Sequence, residues 1–293
     1  MFGTIKLGKT ACLCVSLAAA ALCVTVFGAF GRAYAADSKE ENADTRQLPI
    51  IMYHSVVKDE ALTGDYVITP AELEADLIWL KENGYTAVLC RELPDFVEGG
   101  GELPGKPVVL SFDDGCYNNF YYALPLIEKY GFKAVFAPVG EWTEQAAAEE
   151  TPSRVYSYMD AENLRTCAMS GRIEIADHTY SMHDLDKRRG VLPKAGEREG
   201  DYRRTFWSDL DRSRRLIERI TGELPVTLVY PYGYCSGDTE ALAAELGYRV
   251  TLGCEERVNT VSRGDYGCLS RMGRFNRATG RTAEMILSKQ NEK

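Results

Sequence analysis

The chain has 293 residues, 45% hydrophobic and 26% charged, with 34 basic residues against 43 acidic ones and a formal charge of -9. That balance disfavours nucleic acid and anionic lipid as partners and suits a ligand that is neutral or cationic. The length is enough for one large α/β domain or two small ones.

At the N-terminus, Lys6 and Lys9 precede a nearly uncharged apolar run over 10–31, followed by Ala33-Tyr34-Ala35. This is the layout of a signal peptide with a small-x-small cleavage site after Ala35. A run of about 20 residues is also long enough for an uncleaved membrane anchor, and in both cases the remainder is expected outside the cytoplasm. Loss of 1–35 would remove Lys6, Lys9 and Arg32 but no acid, leaving 31 basic residues against 43 acidic and a charge of -12. Six cysteines would remain: Cys90, Cys116, Cys167, Cys235, Cys254 and Cys268. An exported protein could pair them, but they are dispersed and lack metal-type spacing. Buried thiols are the alternative.

Residues 36–47 have the composition of a linker, and 48–293 read as one domain. A buried strand is expected over 48–53. Thr69 as N-cap and Pro70 at the first helical position open a helix that ends at Asn83-Gly84, with Leu73, Leu77, Ile78 and Leu80 on its apolar face. Further strands are expected over 86–89, 107–112, 133–138, 172–176, 226–230 and 248–252. Helices are expected over 118–130, 160–170, 205–221 and 238–246. This alternation with short connections predicts a parallel α/β sheet or barrel.

In such folds the chemistry sits at the C-terminal ends of the strands. Four expected strand ends carry unusual groups: His54, Asp113-Asp114, His178, and Pro231-Tyr232-Gly233. The chain's three histidines, His54, His178 and His183, all lie at or just past such ends. A single histidine after a strand is usually a loop residue, and a single Asp-Asp-Gly or Pro-Tyr-Gly is usually a turn. Their coincidence at strand ends that the fold would gather points instead to a site. Two imidazoles and one carboxylate leave a coordination position open, as catalytic zinc requires, and a second aspartate stays free to act as a base.

The segments Ser111-Phe112-Asp113-Asp114-Gly115, His178-Thr179-x-x-x-His183 and Tyr230-Pro231-Tyr232-Gly233 resemble the first three motifs of the polysaccharide deacetylases, the NodB-homology family (carbohydrate esterase family four). The resemblance runs over roughly 48–277. It implies a distorted (β/α) barrel and an N-acetylated glycan as substrate. It further implies Asp113 as general base, Asp114, His178 and His183 as metal ligands, and the Tyr232 backbone N–H in an oxyanion hole. Zinc is the expected metal, with cobalt, nickel or iron acceptable to the same donors. Such an ion polarises the acetyl carbonyl and acidifies water.

Three departures from the family pattern stand out. The two histidines are five apart, with Met182 inserted; Val229 replaces the arginine that opens the third motif; and no histidine follows His183. Arg271 and Arg274 are the candidates for the missing arginine. The branch of poly-N-acetylglucosamine deacetylases has the wider spacing and an N-terminal Tyr-His segment that supplies the acid, which Met52-Tyr53-His54-Ser55 resembles. His54 is therefore the acid candidate. Cys116 and Cys235, each near a motif, are candidates for a disulfide at the pocket rim. The expected function is metal-dependent N-deacetylation of a cell-envelope or matrix polysaccharide. The alternatives are hydrolysis of another acyl amide or ester on the same fold, or an inactive glycan-binding module; metal analysis and acetate release separate them.

Overall fold

The computed structural model describes residues 44–288. The expected leader over 1–35 and most of the expected linker over 36–47 lie outside them. The last linker residues are a correction, because Thr45–Leu48 is a short strand and Gln47 Nε2 donates to Thr260 Oγ1 at 3.1 Å. Among the described residues, no helix is long and apolar enough to cross a membrane.

Seven parallel strands form the frame: β1 (Ile50–Tyr53), β2 (Pro107–Phe112), β3 (Ala134–Phe136), β4 (Ile173–Ile175), β5 (Thr227–Val229), β6 (Val250–Leu252) and β7 (Phe275–Asn276). One run pairs in the order β7-β1-β2-β3-β4, and β5 pairs with β6. Two single parallel bridges join the runs, Asp177 to Leu228 and Leu252 to Met272. The ring thus closes, but at two points by one bridge only, which makes it a distorted (β/α) barrel.

Side chains alternate along a strand, and the packing follows that period. Ile50, Val109, Val135, Ala176, Val229, Val250, Leu252 and Met272 share one cluster inside the ring, while Ile51, Tyr53, Leu110, Phe112 and Phe136 pack outward in another. Carried past the strand ends, the inward parity reaches His54, Asp113, His178 and Cys254, and carried from Met272 toward β7 it reaches Arg274. The barrel mouth is therefore lined by polar groups as a consequence of register.

Helices cover the outside: α1 (Pro70–Glu82), α2 (Leu124–Tyr130), α3 (Gly140–Ala146), α4 (Ala161–Met169), α5 (Glu199–Thr221) and α6 (Gly237–Glu245). The Thr69 cap of α1 is complete, with its hydroxyl accepting from Glu72 N and the Glu72 carboxylate accepting from Thr69 N. Leu73, Leu77 and Leu80 are buried, but Ile78 is 38% exposed and does not belong to the apolar face. Helix α5 begins at Glu199, six residues before the expected start. The expected helix over 118–130 has a π-helical first part, Asn119–Ala123, before α2. Helix α3 and strand β7 have no counterpart among the expected elements. Below the mouth, fully buried Arg277 donates through Nε to Asp76 on α1 at 2.6 Å, and Tyr53 donates to the same carboxylate at 3.2 Å. This ties the end of β7 to α1.

Candidate active site

The chain leaves β2 through Asp113 and then Asp114, which adopts a left-handed φ of 68°. It leaves β4 through His178 and then Thr179, at φ 69°. Tyr232 and Arg271 are the other non-glycine residues with positive φ among the described residues. Asp114 and Tyr232 line the mouth and Thr179 directly follows His178 there, where strained backbone marks a constrained site, while Arg271 lines a neighbouring recess. Gly115, at φ 75°, has no room for a side chain, since a Cβ would meet Pro138 at 2.8 Å.

Asp114 Oδ1 lies 3.2 Å from His183 Nε2 and 3.6 Å from His178 Nε2. The three candidate donor atoms all fall within 4.8 Å of one another. Bonds of ~2.0–2.2 Å to a tetrahedral ion place ligand atoms about 3.4 Å apart, so the two separations to Asp114 fit a divalent metal. The donor set agrees, because the His178 Nδ1–H donates to the Val229 carbonyl at 2.8 Å, leaving its Nε2 lone pair facing Asp114. Burial alone would raise the Asp114 carboxyl, but the two adjacent imidazoles outweigh it and hold it well below the usual carboxylate range.

The insertion in the second motif has a packing explanation. Met182 is buried among Val191, Tyr202, Phe206 and Leu210. Asp209 on α5 accepts from Tyr180 N at 2.8 Å and Ser181 N at 2.9 Å, while Asp177 accepts from Thr179 N at 2.8 Å and Ser213 Oγ at 2.7 Å. The loop is pinned inward at the extra residue, which lets His183 return to the mouth.

Asp113, 3% exposed, is held by Arg274, whose Nη1 donates to its Oδ1 at 2.7 Å. Arg274 is fully buried and also donates to Ser111 Oγ and the Gly253 carbonyl. Burial would raise the Asp113 carboxyl; the adjacent guanidinium and imidazoles reverse this and keep it below the ordinary carboxylate value. Of the two arginine candidates it is therefore Arg274 that faces the aspartate. Arg271 instead lines a separate recess with Cys235 and Cys254.

His54 lines the same pocket of about 560 Å³ as Asp113, Asp114, His178, His183 and Tyr232. Its ring packs edge-on against Tyr66 at 4.8 Å, and its carbonyl accepts from Asn119 Nδ2. Burial lowers its pKa, against the opposing pull of Asp113 and Asp114, which makes a protonated His54 a stronger acid. All six expected candidates thus share one pocket. The Cys116–Cys235 pairing is corrected: all six cysteines of the described residues are free thiols. Cys116 forms an antiparallel backbone bridge with Tyr158, whereas Cys235 lines a separate recess with Cys254.

Three contributors were not anticipated. Trp142 on α3 packs at a tilt on Tyr158 with centroids 4.5 Å apart and meets His183 edge-on at 4.8 Å, and the Tyr232 hydroxyl lies 3.0 Å from His183 Nδ1. No short-range pattern marks Trp142 or Tyr158. Arg274, by contrast, was one of the two arginines expected to replace the missing one.

The polysaccharide deacetylase family pattern matches residues 100–251, just over half of the chain. The chain belongs to the polysaccharide deacetylase family. Among similar proteins, a poly-β-1,6-N-acetyl-D-glucosamine N-deacetylase of Escherichia coli K12 is 28% identical over 237 residues, covering 73% of this chain and 35% of that protein. One from Staphylococcus aureus is 24% identical over 204 residues, 69% of this chain and 66% of the relative. The chain thus spans about a third of the E. coli relative and just under two thirds of the staphylococcal one. A de-N-acetylase structure from Aggregatibacter actinomycetemcomitans superimposes with a TM-score of 0.72 at 27% identity, covering 83% of this chain and 99% of the other.

Proposed function

We propose that this chain is an exported, metal-dependent deacetylase that removes N-acetyl groups from an amino-sugar polysaccharide, with poly-β-1,6-N-acetylglucosamine as its substrate. The observation that carries this reading is the convergence of Asp114, His178 and His183 beside a separately held Asp113 in one pocket. The names of the relatives support the choice of polymer, and the apolar run over 10–31 with Ala33-Tyr34-Ala35 supports export. In this reading 1–35 is a leader or anchor, 36–47 largely a linker and 48–293 the catalytic domain.

Asp114, His178 and His183 would hold one divalent ion, zinc by default, with cobalt, nickel or iron compatible with the donors. When bound, it supplies charge to polarise the acetyl carbonyl and acidify water. Asp113 takes the proton from the attacking water, its carboxylate kept ionised and aimed by Arg274. The Tyr232 backbone N–H donates to the oxygen on which negative charge develops. His54 returns a proton to the departing amine, which is too basic to leave as an anion. Its imidazole is available for that role because the other two histidines are engaged as ligands.

The direct test is acetate release by the purified chain from oligomers of β-1,6-N-acetylglucosamine, chito-oligosaccharides and acetylated xylan. Release from the first is expected. Release from xylan alone would replace the reading with an esterase, and release from none, with a folded zinc-loaded protein, would leave a binding module.

His54→Ala is expected to keep its metal and lose about 10²-fold in turnover on the amide, the low end of general-acid effects because solvent can partly substitute. Hydrolysis of an activated acetyl ester, whose leaving group needs no proton, should fall only a few-fold. Equal losses on both substrates would remove His54 from the acid role.

A further inference from the structure

The two candidate histidine ligands are supported differently. His178 is 2% exposed, and its outer nitrogen has a backbone acceptor, the Val229 carbonyl, within the barrel rim. His183 stands further out, its side chain 14% exposed, on the loop lengthened by Met182. Its Nδ1 contact is a side chain, the Tyr232 hydroxyl at 3.0 Å, and the two rings pack with centroids 4.5 Å apart. Trp142 closes another side of the imidazole edge-on.

The turn that carries Tyr232 is built to hold it there. Tyr232 sits at φ 57° and Gly233 at φ 71°, two successive left-handed residues. A Cβ on Gly233 would meet Cys254 N and Cβ at 2.7 Å, so the turn lies tight against the end of β6. An aromatic residue in left-handed backbone is strained and persists only where its surroundings over-determine it.

We propose that the Tyr232 phenol is the positioning partner of His183, accepting its Nδ1–H so that Nε2 keeps a free lone pair aimed at the Asp114 side of the metal site. Tyr232 then has two separable duties, its backbone N–H toward the reacting carbonyl and its side chain toward the metal ligand. This assignment rests on the three-ligand reading above. The phenol replaces, for the exposed histidine, the fixed carbonyl that serves His178, and it offsets the looser hold of the five-residue spacing. Outer partners of this kind fix tautomer and ring orientation, and their loss costs about 10- to 100-fold in metal affinity or activity.

Tyr232→Phe removes only the hydroxyl and keeps the ring, the turn and the amide. The expected result is zinc affinity weakened about 10- to 100-fold by chelator competition, with an altered visible spectrum in the cobalt-substituted protein. The metal-free melting temperature should be unchanged. Tyr234→Phe, whose hydroxyl accepts from Arg189 on the rim, should leave zinc affinity and the cobalt spectrum alone. Parental zinc affinity and spectrum in Tyr232→Phe would overturn the proposal while leaving the ligand set intact. Failure of the parent protein to bind zinc, or full zinc retention by His183→Ala, would instead overturn the ligand reading beneath it.

Discussion

Asp114→Ala, His178→Ala and His183→Ala are each expected to yield a folded protein with little bound zinc and acetate release reduced by more than about 10³-fold. The magnitude follows from the stabilisation at stake: the metal contributes several kcal/mol at the transition state, and each ~1.4 kcal/mol is a decade in rate. Every member of the trio supplies one donor, and the separations of 3.2 and 3.6 Å make Asp114 Oδ1 the shared neighbour of both imidazoles. Removing any one leaves two donors and an open side. Elemental analysis of the purified variants beside the parent, which should carry about one equivalent, gives the metal result independently of turnover. His183→Ala is the most informative, because the insertion of Met182 makes it the ligand whose place depended on folding. Full zinc occupancy in that variant would show that the wider spacing has displaced His183 from the metal.

Asp113→Asn is expected to keep the metal and lose on the order of 10²- to 10⁴-fold in turnover, the usual contribution of a positioned base. Asparagine keeps the shape but cannot take a proton. The substitution also leaves the guanidinium of Arg274, fully buried and donating at 2.7 Å, without its countercharge, and breaking such a pair typically costs about 3–5 kcal/mol. Stability must therefore be measured with activity. Thermal melts should show destabilisation, while zinc content stays near one equivalent and the folded fraction at assay temperature stays high. The double variant Asp113→Asn with Arg274→Met should recover stability, because no unpaired charge remains, and should stay inactive. Turnover near that of the parent in folded Asp113→Asn would show that the base is elsewhere and that Asp113 serves only the ion pair.

Much of the scaffold can be read locally. The Thr69-Pro70 start of α1, its capping box and the stop at Asn83-Gly84 are decided within one turn of chain, and the apolar run of β2 is buried on both faces, as a central parallel strand must be. Alternation along β1, β2 and β4 then puts His54, Asp113 and His178 on the inward side of the mouth. Motif residues at strand ends were thus legible as a set, including His183 and Tyr232.

Other parts of the site depend on contacts between segments far apart in sequence. Strand β7 has two residues and no periodicity, yet its pairing with β1 completes the ring and delivers Arg274 to Asp113, 161 positions away. Met182 looks like a disruptive insertion until α5 and its neighbours provide the pocket that buries it. Trp142, itself packed on Tyr158, and the Tyr232 phenol meet His183 only because α3 and the loops after β4 and β5 converge at one rim. The sequence by itself determined which residue types stand at the strand ends, since that rests on a period of two. Barrel closure decided which of them touch, because hydrogen-bond partners and burial at the mouth are set by long-range packing that no local spacing encodes.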